Sequence, residues 1–208
     1  MGFGPSAVAQ TWVPAASMAT PRYWHAATVL QNGKVLVVGG DMGGYNFVSS
    51  PELYDPATDT WSPAGIMPLP RFGHNASLLP NGKVLVTGGW ALVGNTFTNA
   101  EFYNPATNTW SSAAPMVGGR YGHAQVSLPD GKVLVAGGWN NAWLASAELY
   151  DPATNAWTPA ASMTQARHGI WSNATVMTPP PIPGAPQRPW SRPGATPLAR
   201  WYQTEWSW

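Results

Sequence analysis

Short apolar runs, each closed by glycine, proline or asparagine, set the rhythm of this chain. Val84-Leu85-Val86 is a continuous apolar run with β-branched residues, the pattern of a strand covered on both faces. His74 to Leu79 precedes it as a further strand, and Asn81-Gly82 between them favours a tight hairpin turn with positive φ. After the run, Gly88-Gly89 permits backbone angles closed to other residues or the close approach of another segment. Ala100 to Tyr103 reads as a third strand, stopped by Pro105, which has no N–H for a ladder. Asn104-Pro105-Ala106-Thr107-Asn108 is turn chemistry, and Thr109-Trp110 opens a fourth strand.

This four-strand pattern recurs. The unit from Arg71 to Trp110 is preceded by a copy from Arg22 to Trp61 and followed by one from Arg120 to Trp157. His25, His74 and His123 fall in register, as do the glycine pairs at 39–40, 88–89 and 137–138. Glu52, Glu101 and Glu148 follow, then Tyr54, Tyr103 and Tyr150, then the three tryptophans. The step is 49 residues twice, shortened to 47 for the landmarks after the third insert, which loses two residues. A period near fifty marks stacked supersecondary units, and four antiparallel strands per unit suggest a β-propeller blade.

The order Arg-x-x-His, Gly-Lys-Val-Leu-Val-x-Gly-Gly, Glu-x-Tyr-Asp-Pro and Trp resembles that of kelch repeats, in particular the bacterial type related to the central propeller of galactose oxidase. The resemblance covers residues 7 to 178. It implies an all-β fold, a partial kelch β-propeller with three complete four-stranded blades at about 22–62, 71–111 and 120–158. Flanking single strands are expected on both sides. Thr11 to Met18 matches Ala156 to Met163 almost residue for residue and reads as a fourth strand without the rest of its blade. Ser172 to Met177 resembles the first strand of a further unit. The propeller arc thus spans 1–178, and the Pro- and Trp-rich stretch 179–208 is expected to be a disordered or extended tail, either a truncated repeat end or a docking segment.

Composition narrows the function. Only 9% of residues are charged and the net charge is +1, so there is no electrostatic case for nucleic acid or a membrane surface. No apolar run reaches the length of a membrane span, and MGFGPSAVAQ has no secretory pattern; the compartment is not legible. There is no cysteine. The cysteine-crosslinked tyrosine that the galactose oxidase resemblance would imply therefore cannot form, and copper oxidase activity is not carried over.

Charge falls mostly on repeat positions. The three lysines share one hairpin position, and among the acids only Asp41 and Glu205 lie off the repeat. A residue present once per blade is a scaffold residue, so Arg22, Arg71, Arg120, Glu52, Glu101, Glu148, Tyr54, Tyr103, Tyr150, Trp61, Trp110 and Trp157 are assigned structural roles, with each glutamate expected to contact a repeat arginine. No catalytic set, metal site or cofactor is expected. The recurring histidines are spaced too widely for a metal, with His168 out of register.

Variation concentrates in the inserts between the second and third strands, which leave the meander at the same end as the connections between units. Function tends to sit on variable loops of a rigid scaffold. The inserts carry Asp41, Tyr45, Asn46, Phe47, Trp90, Asn95, Phe97, Trp139, Asn140, Asn141 and Trp143. Flat rings with amides between them suit a glycan or an extended peptide. The expected function is a binding module for a protein or glycan ligand, not an enzyme; the alternative is a fragment of a carbohydrate-active propeller enzyme. An open arc of three blades also points to a homo-oligomer that completes the ring.

Overall fold

The structure is a computed structural model that describes residues 12–91 and 96–169. Among these described residues twelve strands form three four-stranded antiparallel sheets in simple meander order. The first holds β1 (Ala26–Val29), β2 (Val35–Val38), β3 (Glu52–Asp55) and β4 (Thr60–Pro63). The second holds β5 (Asn75–Leu78), β6 (Val84–Thr87), β7 (Ala100–Asn104) and β8 (Thr109–Ala113). The third holds β9 (Ala124–Ser127), β10 (Val133–Ala136), β11 (Ala147–Asp151) and β12 (Ala156–Ala160). No helix occurs among the described residues.

Register repeats with sequence. Val84 pairs with Tyr103 and Tyr103 with Trp110, as Val35 pairs with Tyr54 and Tyr54 with Trp61. The turn between the first two strands differs from the one expected. Only its glycine takes positive φ (80° at Gly33 and Gly82, 86° at Gly131); the preceding Asn or Asp does not. Gly82 N–H donates to Leu79 O and Leu79 N–H to Lys83 O, so the loop is one residue longer than a two-residue hairpin. A type I turn closed by a left-handed glycine gives this geometry. The Asn81 side chain accepts from Lys83 N–H, which is why Asn or Asp precedes the glycine.

The apolar cores lie between sheets. Leu36 and Val38 of the first sheet pack with Ala76, Val84 and Val86 of the second and with Met67 of the connection between them, and Leu85 and Ala100 pack with Val133 and Tyr150 of the third. Each sheet is buried on the face its neighbour covers, so the strongest burial falls in the central unit, where β6 is buried throughout. The second glycine of each pair hydrogen-bonds the next unit: Gly40 N–H reaches Arg71 O, and Gly89 N–H reaches Arg120 O. A Cβ on Gly39 would run into the His74 ring and the Arg71 carbonyl, so the pair is glycine because the next unit lies against it.

Each repeat arginine meets the glutamate of its own unit, at 2.5 Å for Arg22–Glu52, 3.0 Å for Arg71–Glu101 and 2.7 Å for Arg120–Glu148. The guanidinium also donates to the first carbonyl of the glycine pair (Gly39, Gly88 or Gly137), tying the end of the second strand to the start of the unit. Tyrosine and tryptophan pack at 5.0–5.2 Å in every unit. The indole N–H of Trp61, Trp110 and Trp157 donates to the carbonyl of Ala16, Ala64 and Ala114 respectively, in the segment before.

The flanking strands require a correction. Trp12 to Met18 forms no ladder, although it was expected as a fourth strand, because no third strand lies beside it among the described residues. Ser172 to Met177 and the tail from 179 lie outside the described residues.

Candidate ligand-binding face

The inserts and the connections between units meet at one end of the sheets. Directly after the glycine pair, Asp41, Trp90 and Trp139 occupy one equivalent position. Each forms an isolated antiparallel bridge to the residue after a repeat arginine: Tyr23, Phe72 and Tyr121. This second position was not singled out from sequence. Its signal was available, since every ring there follows an arginine. His168 belongs to the same series: it follows Arg167, and Gly138 N–H bonds Arg167 O just as Gly89 N–H bonds Arg120 O. The apparent break in histidine register is an exchange of position.

A line of backbone bonds runs beneath these rings, from Gly73 N–H to Trp24 O, Gly122 N–H to Gly73 O and Gly169 N–H to Gly122 O. A Cβ on Gly73 would meet the Tyr121 ring at 3.2 Å, and one on Gly122 would meet His168 at 2.5 Å. Glycine there lets each ring lie over the backbone of the unit before. In the first unit Trp24 replaces it with φ of 54° and stacks on Phe72 at 4.7 Å, with 23° between planes.

The side chains join into a continuous ribbon across the three units. Tyr45 lies 6.0 Å from Trp90, Trp90 5.3 Å from Phe72, and Phe72 6.0 Å from Tyr121. Tyr121 lies 5.3 Å from His168, and His168 5.1 Å from Trp143. Phe47 and Trp139 flank the ribbon, at 5.5 Å from Phe72 and 5.5 Å from Tyr121. Tyr45 and Trp143 are 58% and 60% exposed, so the ends of the ribbon stand open. Burial lowers the His168 pKa and raises that of Tyr121, keeping both neutral at physiological pH.

The remaining sequence candidates fall on both sides of this surface. Asn46 and Asn141 are exposed and Asn140 half-buried, each on an insert. Asn95 lies outside the described residues. Phe97 turns inward, its ring 4.7 Å from the Arg71 guanidinium carbon, so it belongs to the scaffold rather than to the open face. Asp41, the one insert carboxylate, is also taken up by structure. Its Oδ2 accepts from the Tyr23 hydroxyl at 2.9 Å and its Oδ1 from Gly43 N–H at 2.9 Å, and it is buried. That hydrogen bond is the main reason the Tyr23 pKa is raised.

His74 and His123 are buried between units. His74 Nε2 donates to Val38 O at 3.0 Å and His123 Nε2 to the Thr87 hydroxyl at 3.1 Å, which in turn donates a hydrogen bond to Gln125 Oε1. Their second ring nitrogens have no partner. Burial, reinforced by the nearby arginines, lowers both pKa values to about 3. No group of three or more His, Asp or Glu side chains among the described residues is placed to hold a metal ion.

The comparisons agree with this architecture. The family model for the KLHDC2/KLHL20/DRC7 Kelch-repeats domain matches residues 8–179. The solved structure of YjhT superposes with a TM-score of 0.66 at 20% identity, covering 76% of this chain and 57% of its own. At that identity the likeness speaks for the fold alone, and this chain spans little more than half of that one. No curated protein sequence matches. With most of its length matched by the domain model and its three sheets in place, the chain belongs to the kelch-repeat family and is an interaction module of the general kelch type.

Proposed function

We propose that this chain is a binding module that presents the face carrying the inserts to an extended ligand, a peptide or a glycan chain. The observation that carries this is the ribbon of rings from Tyr45 to Trp143, which crosses all three units and is open at both ends. Flat rings gain contact area at low entropic cost, and the amides of Asn46, Asn140 and Asn141 on the same inserts supply donors and acceptors that orient a ligand. The propeller domain on this reading extends over residues 1–178, with 179–208 as an appended tail. A binding role also accords with the repeat chemistry: each carboxylate on a described insert or clasp already has a structural partner.

The test is to replace Tyr45 and Trp143 by alanine, singly and together, and screen wild type and variants against glycan and peptide arrays. Both side chains are largely exposed, so the fold should tolerate the changes. A ligand held by wild type and weakened at least tenfold by the double variant is the expected result. Binding that survives the double change moves the site elsewhere.

A further inference from the structure

The first insert differs from its counterparts in the way its rings and its one carboxylate are set. Met42 N–H donates to Asn46 O at 3.0 Å and Gly43 N–H to Asp41 Oδ1 at 2.9 Å. These bonds fold residues 41–47 back on themselves, with Asp41 bridged to Phe47 at the base. Tyr45 lies 6.4 Å from Phe47 with 78° between planes, and Phe47 lies 6.0 Å from Trp90 with 84° between planes. Tyr45 and Trp90 close the triangle at 6.0 Å and 49°. Walls this steep to one another form a corner rather than the flat platform on which a sugar ring lies. Tyr45 is exposed and Phe47 and Trp90 are half-buried, so the corner is open to solvent. Two rings at right angles with centroids 6.0 Å apart bring a cation seated between them to about 4 Å from each, inside the ~6 Å reach of a ring quadrupole.

The carboxylate supplies a second, independent observation. Asp41 is 2% exposed and forms no ion pair among the described residues, whereas the equally buried Glu52, Glu101 and Glu148 each face an arginine. Both of its oxygens accept hydrogen bonds, which favours the ionised form, but the donors, the Tyr23 hydroxyl and Gly43 N–H, are neutral. Its hydrogen bonds are satisfied and its charge is not balanced, a costly state for a buried group. Tyr45 stands near the same carboxylate. The Tyr23 pKa is raised first by its hydrogen bond to Asp41, then by burial and the Asp41 charge, and last by Tyr45. The equivalent positions in the other units are Trp90 and Trp139, so the charge marks the Tyr45 end of the ribbon alone.

We infer that the corner of Tyr45, Phe47 and Trp90 binds a trimethylammonium group, with the buried Asp41 carboxylate as its counter-charge. This rests on the ligand-binding reading of the face and names the group that a ligand brings to its Tyr45 end. The choice of cation follows from the hydrogen bonds. A primary ammonium or a guanidinium carries N–H groups that need acceptors, and both Asp41 oxygens are buried and already engaged. A quaternary nitrogen has no N–H. It asks only for ring faces and a negative field, and the field of a buried charge is little screened. Choline and the side chain of a trimethylated lysine carry this same group.

The experiment titrates the full chain by calorimetry with choline, with its uncharged isostere 3,3-dimethylbutan-1-ol, and with N-acetyl-lysine amide in unmethylated and trimethylated forms. Saturable binding of a trimethylammonium compound is expected, about tenfold or more tighter than its uncharged or unmethylated counterpart. The tighter of choline and trimethyllysine names the source of the group. Tyr45→Ala and Asp41→Asn should each weaken that binding about tenfold or more. Tyr45→Ala changes an exposed side chain, so it decides the matter even where Asp41→Asn lowers the urea midpoint. No binding, equal binding of charged and uncharged compounds, or binding indifferent to Tyr45→Ala overturns the inference. If it is overturned while an array ligand is still lost on changing Tyr45 and Trp143, the binding face stands and only its cation is wrong.

Discussion

The clasp of the central unit and the clasps of its two neighbours use the same two residues but not the same bonds. Glu52 accepts from Ala19 N–H at 2.8 Å and Thr20 N–H at 3.2 Å, besides Arg22. Glu148 accepts from Val117 N–H at 2.7 Å and Gly118 N–H at 3.1 Å, besides Arg120. The central unit has Pro68 where the others have Ala19 and Val117, and proline has no N–H to give. Glu101 Oε2 and Arg71 Nη2 approach to 3.0 Å, yet neither makes a directed hydrogen bond. Burial therefore raises the Glu101 pKa against the pull of Arg71, and lowers that of Arg71 against the pull of Glu101. The central unit carries the weakest clasp in the deepest packing. Its arginine has instead the Phe97 ring. One proline thus separates an ion pair held by its surroundings from one merely enclosed by them.

The largest expected effect tests the packing on both sides of the central unit. His74 fills the junction with the first unit and His123 that with the third. Each has a folded pKa of about 3 against 6.5 when unfolded. A depressed pKa contributes stability that is present above 6.5 and lost as pH falls toward 3. By pH 5 each imidazole should have surrendered about 2 kcal/mol, about 4 kcal/mol together. Urea unfolding between pH 7.5 and 5 reads this directly, and replacing both histidines by glutamine should flatten the profile. His25 is also lowered, by burial and by Arg22, but is not enclosed between units, so His25→Gln should reduce the slope by less than either buried histidine does.

Next in size is the clasp itself. Glu148→Gln removes a carboxylate that accepts three hydrogen bonds, and should cost about 2–3 kcal/mol at pH 7. Glu101→Gln should cost less than about 1 kcal/mol, because the carboxylate it replaces has no directed bond at Oε2 and is already biased toward its neutral form. The sign with pH differs too. A raised carboxylate pKa contributes stability that is present below 4.5 and lost as pH rises through the folded value. Glu101→Gln should therefore be closest to wild type at high pH. Equal costs for the two changes in denaturant titrations would show that the two clasps are equivalent after all.

What could be read in the sequence, and what could not, follows the same division. Strands, register and the arginine–glutamate pairs were legible because they recur three times, and recurrence makes a side chain's role visible without coordinates. The consequence of Pro68 was hidden, because it depends on which backbone N–H the glutamate reaches across some thirty positions of chain. The ring-bearing face proposed for binding was half legible as a surface. Tyr45, Phe47, Trp90, Trp139 and Trp143 stood out on variable inserts, while Phe72, Tyr121 and His168 did not, because they sit inside the repeat rather than in its variable part. Trp12 to Met18 had the sequence of a strand, but a strand is a property of two segments, and no third strand lies beside it among the described residues.

A more delicate test returns the missing donor. Pro68→Ala supplies an N–H where Ala19 and Val117 have one, and should add about 1 kcal/mol through Glu101, offset by about 0.5 kcal/mol of unfolded-chain entropy. The net change is small, so the informative quantity is the coupling. In a Glu101→Gln background the gain through the carboxylate should vanish, giving a double-mutant coupling of about 1 kcal/mol. Zero coupling would mean that the loop at Pro68 does not take up the geometry of its counterparts, and that the central clasp is weak for a reason other than the proline.

The smallest effect lies on the surface of the same unit. Lys34 reaches Asp55 at 3.2 Å and Lys132 reaches Asp151 at 3.4 Å, but the central unit has Asn104 in place of the aspartate and Lys83 lies instead over the Phe102 ring, 5.5 Å from its centroid. Asn104 already makes the turn bond that Asp55 and Asp151 make, accepting from Ala106 N–H as they do from Ala57 and Ala153. Asn104→Asp therefore preserves the turn and adds only the ion pair. Exposed pairs contribute little and are screened by salt, so the expected gain is about 1 °C in Tm at low ionic strength, erased in 1 M salt. A gain that persists in salt would place its origin in the turn, and the surface of the central unit would then differ from its neighbours by backbone geometry rather than by charge.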